Sequence, residues 1–139
     1  KKDIKEGISL LTERGMHPRI VEVSGSLFAT EHYPQAIFEA FKEVNNSVKR
    51  KSKLLGEDGA SLMTKAFNSR NPKLRFSELK TRTEIDEQDG FMHIFMGSML
   101  GIRNPKAHEN IVQKDPVKTI EYLSLASLLL RRVEEAESR

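Results

Sequence analysis

The chain of 139 residues is long enough for one domain with a substantial core and too short for two ordinary domains. Its charged fraction of 31% and hydrophobic fraction of 37% are typical of a soluble globular protein rather than a disordered one. Because the chain has no cysteine, disulfides, thiolate catalysis and cysteine-ligated zinc are excluded. The net charge of +3 is only mildly basic, which permits nucleic-acid binding without indicating it.

The sequence also gives expectations for the location of the protein in the cell and for its domain boundaries. No apolar stretch is long enough to span a bilayer and no signal peptide is visible, so we expect a cytoplasmic protein without a membrane partner. The start at Lys1, without methionine, is compatible with a fragment of a longer protein. We therefore treat residues 1–16 as an opening helix or linker and residues 17–139 as the main domain. We expect that activation is controlled from outside this domain, either by a sensor domain before Lys1 or by a regulatory partner.

The spacing of apolar residues is helical in the first half of the chain. A short amphipathic segment over residues 4–11 ends at Gly15. Pro18 suits the first turn of a second helix. The β-branched run at residues 20–23 could also begin a strand, but no strand-like segment lies nearby to pair with it. The clearest amphipathic helix follows, from Pro34 to about Lys53.

The second half begins with a glycine-containing break at residues 56–59 and a short helix around residues 62–67. Residues 68–83 lack periodicity and are predicted to form a long loop with one extended turn at residues 74–76. A further helix is expected over residues 84–103.

That helix should end at Asn104, because a proline disfavours helical geometry in the residue before it. Asp115 and Pro116 then provide the N-cap and first turn of a final helix. The predicted fold is all-α, an up-and-down bundle of four main helices with one or two short ones.

The helix before Asn104 carries two apolar stripes, and a helix that is apolar on two sides should be buried on both. One stripe consists of Phe91, Ile94, Phe95, Met99 and Ile102, and the other of Met92, Met96 and Leu100. We expect the first to face the bundle and the second to face another subunit, with Gly97 and Gly101 allowing close approach. The alternative is that both stripes pack within one chain.

Arg103 stands at the end of this helix, an unusual place for an obligatory cation. Its simplest role is to complement the negative end of the helix dipole. A lone histidine such as His108 is likewise more often structural than catalytic. However, if Asn104 caps a new turn, that turn brings His108 back toward Arg103 and forms one small site. Residues 103–108 are therefore the candidate active site.

These six residues, RNPKAH, resemble the Arg-(four residues)-His motif of the HEPN superfamily. The surrounding residues 90–105, and the earlier segment 27–36, resemble a phage- and defence-associated bacterial group within it that is called Ymh-like. The resemblance implies a HEPN-like bundle that dimerises and forms a composite ribonuclease site. It also implies that Arg103 contacts the scissile phosphate, that His108 transfers protons and that Asn104 supports the site.

The chemistry of RNA cleavage is compatible with such a site. Attack by the RNA 2′-hydroxyl needs a base, an acid and positive charge on the developing phosphorane. One chain supplies one histidine and one arginine at the motif, whereas a two-fold dimer supplies two of each. No cofactor is expected, and a catalytic metal is disfavoured because Asp86, Glu87 and Asp89 lie near a helix start rather than converging on one point.

The predicted function is therefore that of a metal-independent RNA endonuclease, acting as a homodimer and serving as a toxin or antiviral-defence effector. Basic side chains that could contact the RNA are Lys106, Lys49, Arg50, Lys51 and Arg75. Two alternatives remain open. One is a non-catalytic module that binds RNA or a nucleotide, and the other is a helical dimerisation domain without chemistry.

Overall fold

A computed structural model of the protein describes residues 3–108 and 114–139; for residues 107 and 108 it describes the backbone only. Over these ranges the chain is an all-α helical bundle, as predicted. Its elements are α1 (Ile4–Glu13), α2 (Pro18–Ala29), α3 (Tyr33–Ser52), α4 (Gly59–Phe67), β1 (Leu74–Arg75), α5 (Arg82–Ser98), a π turn (Met99–Arg103), α6 (Asn104–His108), α7 (Pro116–Glu135) and β2 (Glu137–Ser138).

The two longest helices, α3 and α7, pack side by side at the centre of the bundle. Lys51, near the end of α3, donates a hydrogen bond of 2.9 Å to the carbonyl oxygen of Val133 near the end of α7. The two helices therefore run in the same direction. Helix α2 runs the opposite way, because His17 at its start donates its backbone N–H to the hydroxyl of Ser127 in the second half of α7 at 2.8 Å.

Helix α1 packs closely on α2. A Cβ atom added at Gly7 would lie 2.4 Å from the Cβ of Ala29, so only glycine allows this approach. Leu11 in the same helix is fully buried. The opening segment is therefore helical and attached to the bundle, and the predicted division at residue 16 stays a prediction.

The long loop before α5 is held in place by one buried side chain. Gln88 has no exposed surface. Its amide group donates to the carbonyl oxygens of Phe67 and Leu74 at 2.9 Å and accepts from the N–H of Phe76 at 3.0 Å. The extended turn predicted at residues 74–76 is confirmed as β1, which pairs antiparallel with the C-terminal strand β2.

Contrary to the prediction, the chain does not leave the helix at Asn104. Helix α5 continues into the π turn and then into α6, and Asn104 has helical angles, φ −63° and ψ −47°. Its N–H donates to the carbonyl oxygen of Met99, five residues back. This wider turn displaces the carbonyl that the ring of Pro105 would otherwise meet, which lets the helix pass through the proline.

The two apolar stripes are only partly as predicted. Phe95 and Met99 are fully buried, but Ile94, assigned to the inner stripe, is 44% exposed and lies on the outside. Of the outer stripe, Met92 and Met96 are half-buried and pack against the core of the same chain. Together with Ile94, the stripe and glycine residues left on the surface are Gly97, Leu100 and Gly101. The exposed apolar strip thus differs from the expected one, because it lacks Met92 and Met96 and includes Ile94. The alternative in which both stripes pack within one chain does not account for the exposed Ile94 and Leu100.

Candidate functional site

The side chain of Arg103 is fixed in a defined position where the π turn meets α6. The side-chain oxygen Oδ1 of Asn104 accepts from Nε of Arg103 at 3.2 Å and from Nη2 at 3.1 Å. On the other side, Nη1 lies 3.4 Å from Oδ2 of Asp58. Only 15% of the arginine side chain is exposed. The guanidinium is therefore oriented before any ligand arrives.

Asp58 belongs to a small polar network that connects α3, α4 and the π turn. The amide of Asn45, which is buried, donates to Oδ1 of Asp58 at 2.6 Å, and Nζ of Lys49 lies 3.4 Å from the same oxygen. Burial by itself would raise the pKa of Asp58. The hydrogen bond from Asn45 and the charges of Arg103 and Lys49 outweigh burial, so the pKa of Asp58 is lower than the ordinary aspartate value.

Gly59 brings the start of α4 against the arginine. Its φ of +61° is a left-handed conformation that glycine adopts readily, and a Cβ atom there would lie 3.2 Å from Nη2 of Arg103. The N–H of Gly59 donates to Oδ1 of Asn45 at 2.9 Å. Asp58 occupies the N-cap position of α4 but makes no side-chain capping bond. Its carboxylate is free to face Arg103.

Two clefts open on this side of the bundle. The first, here called the Arg103 cleft, has a volume of about 320 Å³ and is lined by Phe38, Lys42, Asn45, Asn46, Asp58, Arg103 and Asn104. The second, here called the Lys106 cleft, has a volume of about 650 Å³ and is lined by Val23, Ser26, Leu27, Gln35, Phe38, Glu39 and Lys106. Phe38 lines both.

The third predicted site residue, His108, ends α6 one helical turn after Asn104. Its side chain lies outside the described part of the structure. The structure thus brings together Arg103 and Asn104, and the approach of the imidazole to Arg103 stays a prediction.

The predicted RNA-contacting cations lie in different parts of the molecule. Lys49 joins the Asp58 network, and the ammonium of Lys106 lies 5.1 Å from the centroid of the Tyr122 ring. The others are engaged elsewhere: Arg50 with Glu43 at 2.9 Å, Lys51 with carbonyls at the end of α7, and Arg75 with Glu137 at 3.5 Å. The structure therefore places Lys49 at the candidate site and Lys106 in the neighbouring cleft, while a role in RNA binding stays a prediction for all five.

Sequence reasoning missed Asp58, Asn45 and Gly59. Residues 56–59 were interpreted only as a helix break. Asn45 did carry a signal, because it is a polar residue beside Val44 on the apolar face of α3. No comparable signal marks Asp58, whose role depends on how α4 packs against the π turn.

The described residues contain neither a helix that could span a membrane nor a cluster of metal ligands. Within residues 3–108 and 114–139, no helix is long and apolar enough to cross a membrane. Nor do three or more acidic or histidine side chains gather there in a group able to hold a metal ion.

One protein family covers this site together with most of the bundle. Residues 14–133 match the family described as "Protein of unknown function (Hypoth_ymh)". The chain belongs to this family. The match runs from just before α2 to the last turn of α7 and includes Asp58, Arg103 and Asn104.

Membership in the Hypoth_ymh family confirms the predicted resemblance to the Ymh-like group. The wider relationship to the HEPN superfamily stays a prediction. Neither a curated protein nor a solved structure shows significant similarity to the chain.

Proposed function

We propose that this member of the Hypoth_ymh family is a metal-independent RNA endonuclease of the HEPN type that acts as a homodimer. The observation that carries the proposal is the fixed guanidinium of Arg103, held by Asn104 and Asp58 at the wall of an open cleft. The roles as toxin or antiviral-defence effector rest on the resemblance of residues 103–108 and their surroundings to the defence-associated group.

Arg103 is suited to stabilise the phosphorane that forms during cleavage. Planar guanidinium groups bind phosphate oxygens through paired hydrogen bonds. A donor that is already oriented needs no rearrangement as charge develops, and one such donor contributes roughly 10²–10³ in rate. The π turn supports this interpretation, because single π turns within α-helices occur frequently at functional sites.

His108 supplies the proton transfer in this proposal. One imidazole removes the proton from the RNA 2′-hydroxyl, whose oxygen attacks the phosphorus. The bond to the 5′-oxygen breaks, and an imidazolium protonates that oxygen. The products are a 2′,3′-cyclic phosphate and a 5′-hydroxyl. Since each chain has one histidine at the motif, the second comes from the other copy of the chain.

The exposed strip on α5 and the π turn is the proposed interface. Leu100 is 57% exposed, and additional Cβ atoms at Gly97 and Gly101 would meet no atom of the described residues within 4 Å. Leu100 and Gly101 lie within three residues of Arg103 in the same turn. The proposed interface therefore adjoins the turn that carries Arg103, as a composite site requires.

The test is an assay of single-stranded RNA cleavage in excess EDTA, comparing the parent with Arg103→Ala and His108→Ala. Arg82→Ala and His32→Ala serve as matched controls, since both residues are exposed and Arg82 lies at the far end of α5. We expect cyclic-phosphate products from the parent and both controls. Each site variant should lose activity by roughly 10²-fold or more.

Cleavage that persists in His108→Ala, or that disappears in EDTA, would contradict the proposal. Binding of RNA without cleavage by the dimeric parent would support the non-catalytic alternative instead.

A further inference from the structure

Phe38 is an aromatic residue outside the core that the described residues form. The buried face of α3 is formed by residues such as Ile37, Phe41 and Val44. Phe38 is half-buried, and among the side chains that the structure describes it does not belong to those packed against the buried core cluster. Nor is it one of the aromatic residues paired through ring contacts, such as Phe28 with Tyr33 or Phe67 with Phe95.

The position of this ring is informative because it lines both clefts. One is the Arg103 cleft with its oriented guanidinium, and the other is the wider Lys106 cleft. The Lys106 cleft combines apolar walls, from Val23 and Leu27 on α2, with the polar side chains of Gln35 and Glu39 on α3. An aromatic face, an apolar wall and a few hydrogen-bonding groups are the features of sites that bind planar heterocycles.

We infer that Phe38 stacks against a base of single-stranded RNA, and that the Lys106 cleft holds this base beside the phosphate bound at Arg103. This inference rests on the proposed function and adds the subsite that positions the substrate. Aromatic side chains that stack on unpaired bases are the common means of binding single-stranded RNA. The volume of about 650 Å³ is sufficient for a nucleobase.

The charges around Phe38 fit one nucleotide with its flanking phosphates. Arg103 lines one of the clefts that Phe38 borders and Lys106 lines the other, so a strand bound against the ring has a cation in each cleft. Two carboxylates are also present. Glu39 lies 3.8 Å from Nζ of Lys42, and Asp58 is paired with Arg103 and Lys49. In the Lys106 cleft, Glu39 and Gln35 can accept hydrogen bonds from amino groups at a base edge.

A duplex does not fit this arrangement, because its bases are stacked on one another and unavailable to a side chain. The inference therefore predicts a preference for unpaired RNA.

The experiment measures binding rather than cleavage, so that its result is independent of the ribonuclease proposal. The probes are a short single-stranded oligoadenylate with 2′-O-methyl riboses, which cannot be cleaved by its own 2′-hydroxyl, and an abasic ribose-phosphate strand of equal length. The full chain is compared with Phe38→Ala, Phe38→Leu and Phe38→Tyr. Ile4→Ala removes an exposed apolar side chain from α1 as a control.

We expect Phe38→Ala to bind the base-containing strand about fivefold or more weakly while binding the abasic strand like the parent. Phe38→Leu should show the same loss, since it retains bulk but not the ring. Phe38→Tyr and Ile4→Ala should bind both strands like the parent. Thermal denaturation establishes that each variant is folded.

Three results would overturn the inference: no binding of the base-containing strand by the parent, equal weakening of both strands by Phe38→Ala, or unchanged binding by both Phe38→Ala and Phe38→Leu. Failure of the ribonuclease proposal gives a different pattern. In that case binding depends on Phe38, but cleavable RNA stays intact.

Discussion

Asp58 and Arg103 are separated by 45 residues in the sequence, yet Oδ2 of the first lies 3.4 Å from Nη1 of the second. The aspartate side chain is 57% exposed, so the pair contributes little to the free energy of unfolding. The ion pair instead helps to fix the direction in which the guanidinium points. With Asn104 on one side and Asp58 on the other, the guanidinium has a single orientation facing the Arg103 cleft.

The Asp58→Asn substitution tests this positioning role. We expect the free energy of unfolding to change by less than about 1 kcal/mol, because the aspartate of the lost ion pair is more than half exposed. The kcat for RNA cleavage should fall about tenfold, since the guanidinium is less well aligned. KM should not rise, because a negative charge near the bound phosphate has been removed. Steady-state kinetics and urea denaturation measure these quantities.

Glu57→Gln is the matched control, because Glu57 precedes Asp58 but bonds to Ser61 and Lys65 rather than to Arg103. An unchanged kcat in Asp58→Asn would show that Asn104 alone orients the arginine.

Gly59→Ala should reduce both stability and activity. The left-handed backbone disfavours alanine by about 1 kcal/mol, and the new Cβ atom would displace Nη2 of Arg103 from its 3.2 Å contact distance. Substitutions at two other glycines distinguish the loss of stability from the loss of the arginine contact. Gly15→Ala introduces the same backbone strain in open space, so it should lower stability without affecting cleavage. Gly56→Ala, in the same loop with no neighbour within 4 Å, should change neither.

Denaturation curves and cleavage rates of the three glycine variants provide the comparison. If Gly15→Ala lost activity to the same extent as Gly59→Ala, the loss would reflect stability rather than the arginine contact.

Gly97→Glu tests the proposed dimer interface. Gly97 is exposed, and a Cβ atom there would meet none of the described residues within 4 Å, so the monomer should fold normally. A buried, unpaired charge at an apolar interface is costly, and we expect the variant to be monomeric and inactive. Thr83→Glu places the same charge on an exposed position in the first turn of α5 and should remain dimeric. Light scattering and the RNA assay distinguish the two variants, and a parent that is monomeric at all concentrations would refute the interface.

Glu43 should contribute stability that depends on pH. Its side chain is only 7% exposed and bonds to Arg19 and Arg50, each at 2.9 Å. Burial would raise the pKa of Glu43, but the hydrogen bonds and charges of the two arginines outweigh it and hold the pKa below its ordinary value. This stability is therefore present above the unfolded pKa of about 4.3 and is lost as the pH falls through the lower native pKa.

At neutral pH, Glu43→Gln should lower the free energy of unfolding by about 1–3 kcal/mol. The difference from the parent should shrink as the pH falls below about 4. Glu22→Gln is the control, because Glu22 bonds to the same Arg19 but is 62% exposed. Urea denaturation at several pH values measures both variants. A loss of stability in Glu43→Gln that is equal at all pH values would contradict the expected linkage.

The sequence alone determined the helical class and the approximate bounds of most helices. The periodicity of α3 and the proline at the start of α2 are local signals, and local hydrogen bonding sets helix geometry. It also placed Arg103 and Asn104 next to each other in a helical segment, although the predicted end of the helix at Asn104 was wrong. Membership in the Hypoth_ymh family follows from the sequence in the same way, over residues 14–133.

Only the tertiary structure decided what surrounds Arg103. Asp58 and Gly59 contact it, and Asn45 holds Asp58, through the packing of α3 and α4 against the π turn. No periodicity in the sequence reports contacts between such distant segments. The helical path through Pro105 was also mispredicted. The rule that a proline disfavours helical geometry in the residue before it considers only the clash with the proline ring. The π turn that accommodates the ring became visible only in the folded backbone.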